Sequence, residues 1–130
     1  MFMETGVVRF IGWVEQVEGD VSTIAILPEY CRGLMRLDMY SQIVVVYWFH
    51  ERDDDRHRST LQVVPRRHGE TELRGVFASR SPSRPNPLGI TTVELLSLKN
   101  CTLTVRGLDA HVGSPVVDIK PVSVDRENAG

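Results

Sequence analysis

The sequence has no apolar run long enough to cross a membrane as a helix. Its longest, Ile43 to Phe49, is the length of a single strand, and nothing resembles a signal peptide. It also lacks an excess of positive charge. Fifteen Lys and Arg stand against 17 Asp and Glu, a net charge of −2, which excludes a generally basic nucleic-acid protein. Any RNA contact therefore requires a local patch. Cysteine is scarce: Cys31 and Cys101 have no CxxC-type partner, so they are expected to be reduced, buried thiols of a cytoplasmic protein. Internal repeats and domain boundaries are absent too.

What is present is ordinary globular composition, 42% hydrophobic and 25% charged, in 130 residues. That is enough for one domain with its own core, expected over residues 1–124, followed by a polar, frayed tail over 125–130. The dominant period is two. Val7–Val14, Val21–Leu27, Ile43–Phe49, Leu73–Ala78, Leu88–Leu96, Cys101–Leu108 and Val116–Ile119 read as strands rich in Val, Ile and Thr. Only Glu29–Tyr40 offers a short helix or a pair of turns, weakened by Gly33. The fold class is all-β, a barrel or sandwich. Ile43–Phe49 is apolar at every position, which predicts burial on both faces or an interface strand.

The stretch GVFASRSPSRPNPLGITT, residues 75–92, carries the most information. Pro82, Pro85 and Pro87 fix their own φ and restrict Ser81, Arg84 and Asn86 before them. Gly89 permits a turn or a close backbone approach. The expected product is a stiff, basic loop preorganised to hold a ligand. On the residues alone, a proline-rich turn with solvated arginines accounts for it as well.

The run resembles the signature of the YaeB/TrmO family, roughly G-[VA]-F-A-x-R-[SA]-x-x-R-P-N-P-[IL]-G, matched at Gly75 to Ala78, Arg80, Ser81 and Arg84 to Gly89. Two further blocks are similar to the family's patterns in the same order: GLMRLDMYSQIVVVYWFH, Gly33 to His50, and LDAHVGSPVVDIKPV, Leu108 to Val122. The resemblance implies a β-barrel. It implies a methyltransferase that uses S-adenosylmethionine and acts on N6 of threonylcarbamoyladenosine beside the tRNA anticodon. It implies cofactor contacts at His50, Glu51, Arg80, Ile90, Asp109, Ala110, His111 and Val112. Arg80, Arg84 and Asn86 are then candidate catalytic residues, the arginines suited to bidentate pairing with the threonine carboxylate. His50, His111 and Asp109 are candidate bases. Relatives pair through their barrels, which implies a homodimer, and longer bacterial relatives carry a second C-terminal domain for which this chain has no room.

Three departures from the family pattern stand out. Val112 replaces the second acid of D-x-x-D-G, Glu51 follows His50 where Gln is usual, and the acidic turn Glu15–Asp20 replaces a P-R-Q-type loop, with Tyr30 and Arg32 as possible substitutes. For tRNA, the basic patch is expected at Arg56, His57, Arg58, Arg66, Arg67 and His68. The run HERDDDRHRS equally suits a solvated charged loop, and His50, Asp53, Asp54 and His57 lack recognised metal-ligand spacing, so no metal is expected. Two other functions stay open: a non-catalytic S-adenosylmethionine-binding module, and a methyltransferase with a different acceptor.

Overall fold

The computed structural model describes residues 2–65, 69 and 71–122. Among the described residues eight strands form: β1 Gly12–Glu18, β2 Val21–Ile26, β3 Gln42–Trp48, β4 Gln62–Val63, β5 Arg74–Gly75, β6 Leu88–Lys99, β7 Thr102–Arg106 and β8 Pro115–Pro121. Six of them close into a barrel in the order β1-β2-β7-β6-β3-β8. The predicted all-β barrel is therefore the fold. Closure leaves those strands no open edge. Val14, Ile24, Ile26, Ile43, Val45, Tyr47, Val93, Leu103, Val105 and Val116 are buried at alternate positions and form the core.

The chain divides into two compact units, Met1–Tyr47 with Ile90–Gly130, and Trp48–Gly89. The first holds the barrel. The second holds the small β4–β5 pair, in which Gln62 faces Gly75 and Val63 faces Arg74, and the signature loop.

Several sequence expectations are corrected. The first strand begins at Gly12, not Val7, because its neighbours stop there. Gly12 pairs with Ile26, the last residue of β2, and with Val116, beyond which a register shift between β8 and β3 leaves Val117 unmatched. Val7 and Val8 are consequently exposed. Gly12 itself is obligatory: a Cβ there would overlap the Ala25 carbonyl. The expected strand Leu73–Ala78 shrinks to Arg74–Gly75, after which Val76–Ala78 coils into a 3-10 turn. Glu29–Tyr40, by contrast, is the expected pair of turns, the 3-10 segments Pro28–Leu34 and Leu37–Met39. In β3 one face is buried, while Val44, Val46 and Trp48 on the other are only partly covered, as on the outside of a barrel.

The largest correction concerns the cysteines. Cys31 and Cys101 form a disulfide, with Cα atoms 5.4 Å apart. The absence of a CxxC spacing misled because 70 residues separate the two half-cystines. The bond ties the Pro28–Leu34 turn to the β6–β7 hairpin. Asn100 and Cys101, the two residues linking those strands, both have positive φ, 49° and 68°. That is the geometry of a hairpin turn that ordinarily selects glycine at its second position.

Candidate functional site

The signature loop is held by its own polar groups. Phe49 N–H donates to the Pro87 carbonyl at 2.7 Å, and Leu88 N–H to that of Asn86 at 2.7 Å. Pro87 is fully buried. The Ser79 hydroxyl accepts from Ser81 N–H, and the Ser81 hydroxyl from Ser83 N–H, both at 3.2 Å. These serine turns satisfy backbone donors that no strand partner reaches. Arg84 donates through Nη1 to the carbonyls of Ser79 (3.1 Å) and Ser81 (3.0 Å), and its guanidinium lies 6.0 Å from the centre of the Phe77 ring. Arg80 and Asn86 are exposed.

The charged run before the loop is structured. Asp55–Arg58 makes one turn of α-helix, α1, capped by Asp54, whose carboxylate accepts from the His57 backbone N–H and from its Nδ1, each at 2.8 Å. The backbone hydrogen bond, followed by the side-chain one, holds the Asp54 carboxyl below its ordinary value of 3.8. Arg52 Nη1 donates to His57 Nε2 at 3.2 Å, which leaves Nδ1 as the protonated nitrogen facing Asp54.

Arg58 reaches back from α1 to the signature loop. Its Nε donates to the Pro85 carbonyl at 2.8 Å, Nη2 to Asn86 Oδ1 at 3.5 Å and Nη1 to Asp53 Oδ1 at 2.9 Å. Its guanidinium stacks 5.8 Å from the centre of the Trp48 ring, and Trp48 Nε1 donates to Asp53 Oδ2 at 3.3 Å. Arg58, expected as an RNA contact, thus clasps the loop.

In the barrel unit, the turn after β7 carries Asp109 to Val112. Tyr47, buried in the core, donates its hydroxyl to the Asp109 carbonyl at 2.6 Å and lies 3.3 Å from Thr91 Oγ1. Ser114 is buried, and its hydroxyl accepts from His111 N–H at 3.2 Å, while Gly113, at φ 91°, donates to the Val14 carbonyl at 2.7 Å. The backbone is fixed from below, so the side chains of Asp109, His111 and Val112 face outward, all exposed. Ser114 supplies the hydroxyl that closes the turn.

The predicted residues fall into two sets. His50, Glu51, Arg56, Arg58, Arg80, Arg84 and Asn86 belong to the Trp48–Gly89 unit; Ile90, Asp109, Ala110, His111 and Val112 belong to the barrel unit. Arg66, Arg67 and His68, like the tail 125–130, lie outside the described residues. Among the described residues no group of three or more His, Cys, Asp or Glu is arranged to hold a metal ion. Asp118 and Lys120 form an exposed ion pair at 3.3 Å on β8. Trp48 and Tyr47 were not singled out from the sequence, and Asp53 was weighed only as a metal ligand. The sequence carries no sign that the charged run is a capped turn, because His57 three residues after Asp54 falls outside the capping-box pattern, which has Glu or Gln there.

The fold is similar to that of two solved TrmO structures. One, from Pseudomonas aeruginosa, is 26% identical with a TM-score of 0.69; the match covers 94% of this chain and 56% of that one. A second TrmO structure is 25% identical with a TM-score of 0.69, covering 100% and 60%. The chain thus spans little more than half the length of these proteins.

Residues 14–126 match the family model of the tRNA-methyltransferase O N-terminal domain, and the chain belongs to that family. It is 52% identical over 103 residues to an S-adenosyl-L-methionine-binding protein of Archaeoglobus fulgidus, covering 79% of this chain and 70% of that one. It is 48% identical over 109 residues to a probable S-adenosyl-L-methionine-binding protein of Methanothermobacter thermautotrophicus, covering 84% and 74%.

Proposed function

We propose that this chain binds S-adenosylmethionine and transfers its methyl group to N6 of threonylcarbamoyladenosine, next to the anticodon of a tRNA. The observation that carries this reading is the match of residues 14–126 to a tRNA-methyltransferase family. The donor set fits the cofactor's chemistry. Asp109 offers an exposed carboxylate on a backbone fixed by Tyr47 and Ser114, suited to ribose hydroxyls or to the ammonium group. His50, Glu51, Arg80 and Ile90 are proposed as further contacts, with Ala110, His111 and Val112 beside Asp109 in sequence.

S-adenosylmethionine supplies an already activated methyl group on a sulfonium, so the protein's work is alignment and exclusion of water. N6 bonds to the methyl carbon as the sulfur–carbon bond breaks, and the N6 proton leaves to a base. The carbamoyl group acidifies that proton, so a modest base suffices: His50, His111 or Asp109. Arg80 or Arg84 pairs with the threonine carboxylate.

The same reading takes residues 1–124 as one functional domain acting as a homodimer in the cytoplasm, the compartment of its RNA. Val112, 57% exposed where the family has an acid, favours a second reading, cofactor binding without catalysis. Calorimetric titration with S-adenosylmethionine tests what both share. Asp109→Ala and Arg80→Ala are each expected to weaken binding at least tenfold. Affinity unchanged in both variants contradicts the assignment of the site.

A further inference from the structure

We propose that the exposed ring of Phe77, with the Arg84 guanidinium beside it, is a stacking platform for an unpaired base of the RNA. This inference rests on the function proposed above. Val76 is 1% exposed and its N–H is bonded to the Leu61 carbonyl at 2.9 Å. The turn it opens is closed by Ser79 N–H on the Val76 carbonyl at 3.2 Å. With Val76 pinned inward, the next side chain is driven out, and Phe77 is 79% exposed. A ring so little covered contributes almost nothing to this chain's own stability.

The surroundings identify the occupant. Arg84 is immobilised by two backbone carbonyls and holds its guanidinium 6.0 Å from the ring centre. Arg74 donates to the Ala78 carbonyl at 3.4 Å, and Arg80 is exposed three residues beyond the ring. Arginine and aromatic rings also occur at protein–protein contacts, but three arginines gathered about one ring on a chain of net charge −2 favour an anionic partner. A small-ligand pocket encloses roughly 70–90% of its guest, whereas this ring stands on open surface. An aromatic face with guanidinium groups for neighbouring phosphates is the arrangement that receives a splayed-out base.

Fluorescence anisotropy with the full chain and a threonylcarbamoyl-modified tRNA, repeated across salt concentrations, tests this, with S-adenosylmethionine titrated in parallel. Phe77→Ala is expected to weaken RNA binding roughly 5- to 150-fold. The slope of affinity against salt stays unchanged, because no phosphate contact is lost. Phe77→Trp holds within about threefold of the wild type, and Phe77→Leu, which keeps apolar bulk without a ring face, falls with the alanine variant. Cofactor affinity is the same in all three. If the wild type binds the tRNA and Phe77→Ala or Phe77→Leu binds it equally well, the platform is wrong while the function stands. Loss of cofactor affinity in Phe77→Ala makes the ring a cofactor contact and overturns the inference. A wild type that does not bind tRNA removes both.

Discussion

Arg58 joins Trp48 and Asp53 to the signature loop at Pro85 and Asn86. Its guanidinium is more than a third exposed, so its ion pair with Asp53 contributes little, and the fork of hydrogen bonds to loop oxygens matters more. Arg58→Ala should lower unfolding stability by about 1–2 kcal/mol and accelerate hydrogen exchange at the Leu88 amide, which the Asn86 carbonyl holds. Arg58→Lys should recover little, because an ammonium cannot reach three acceptors in one plane. Unchanged exchange in both variants would mean that the loop holds itself. Asp54 has a different signature. Its folded pKa is depressed, so its capping contribution is complete above the ordinary value of 3.8 and is lost as pH falls through the lower folded value. Acid titration followed by NMR of the His57 amide should report that loss, and Asp54→Ala should abolish the transition. Ser22 is a residue with the opposite sign. Its hydroxyl is buried without a hydrogen-bond partner, a cost with no visible return among the described residues.

At the scale of elements, the disulfide and the barrel strands carry the argument. Cys101 occupies a positive-φ turn position at which a side chain is strained, and the covalent partner offsets that strain. Closing 70 residues of chain removes entropy from the unfolded state worth about 4 kcal/mol on the loop-closure account. Reductant should therefore lower the denaturation midpoint of the wild type. Cys31→Ser should show the lower midpoint with or without reductant, and equal midpoints for all samples would remove the disulfide from the stability of the fold. The strands themselves were legible because period-two burial leaves its alternation in the sequence, as in β2 with Ser22, Ile24 and Ile26 inward. Their ends were not, because a strand stops where its partner does: Val7 and Val8 look like strand residues, and only the register shows that both ladders of β1 begin at Gly12. The signature loop was legible as rigid from its prolines. The clasp was not, because Arg58 and Pro85 lie 27 residues apart and no periodicity connects them. A charged run looks the same whether it is solvated or folded into a capped turn around Asp54 and His57.

At the scale of the molecule, a net charge of −2 leaves any RNA contact to a local patch, and the proposed one lies at Phe77 with Arg74, Arg80 and Arg84. The chain spans 56% of one solved TrmO chain, and catalysis and mere cofactor binding are the two readings to separate. Val112 is the position to vary. Incubating the protein with radiolabelled S-adenosylmethionine and tRNA, with and without the threonylcarbamoyl group, and counting label in the RNA tests the account most directly. Label is expected in the modified tRNA alone, and Val112→Asp is expected to raise the yield at limiting cofactor by restoring an acceptor. Label in both tRNAs, or in neither while the cofactor still binds, would contradict the proposed acceptor and leave a binding module or a methyltransferase of another substrate.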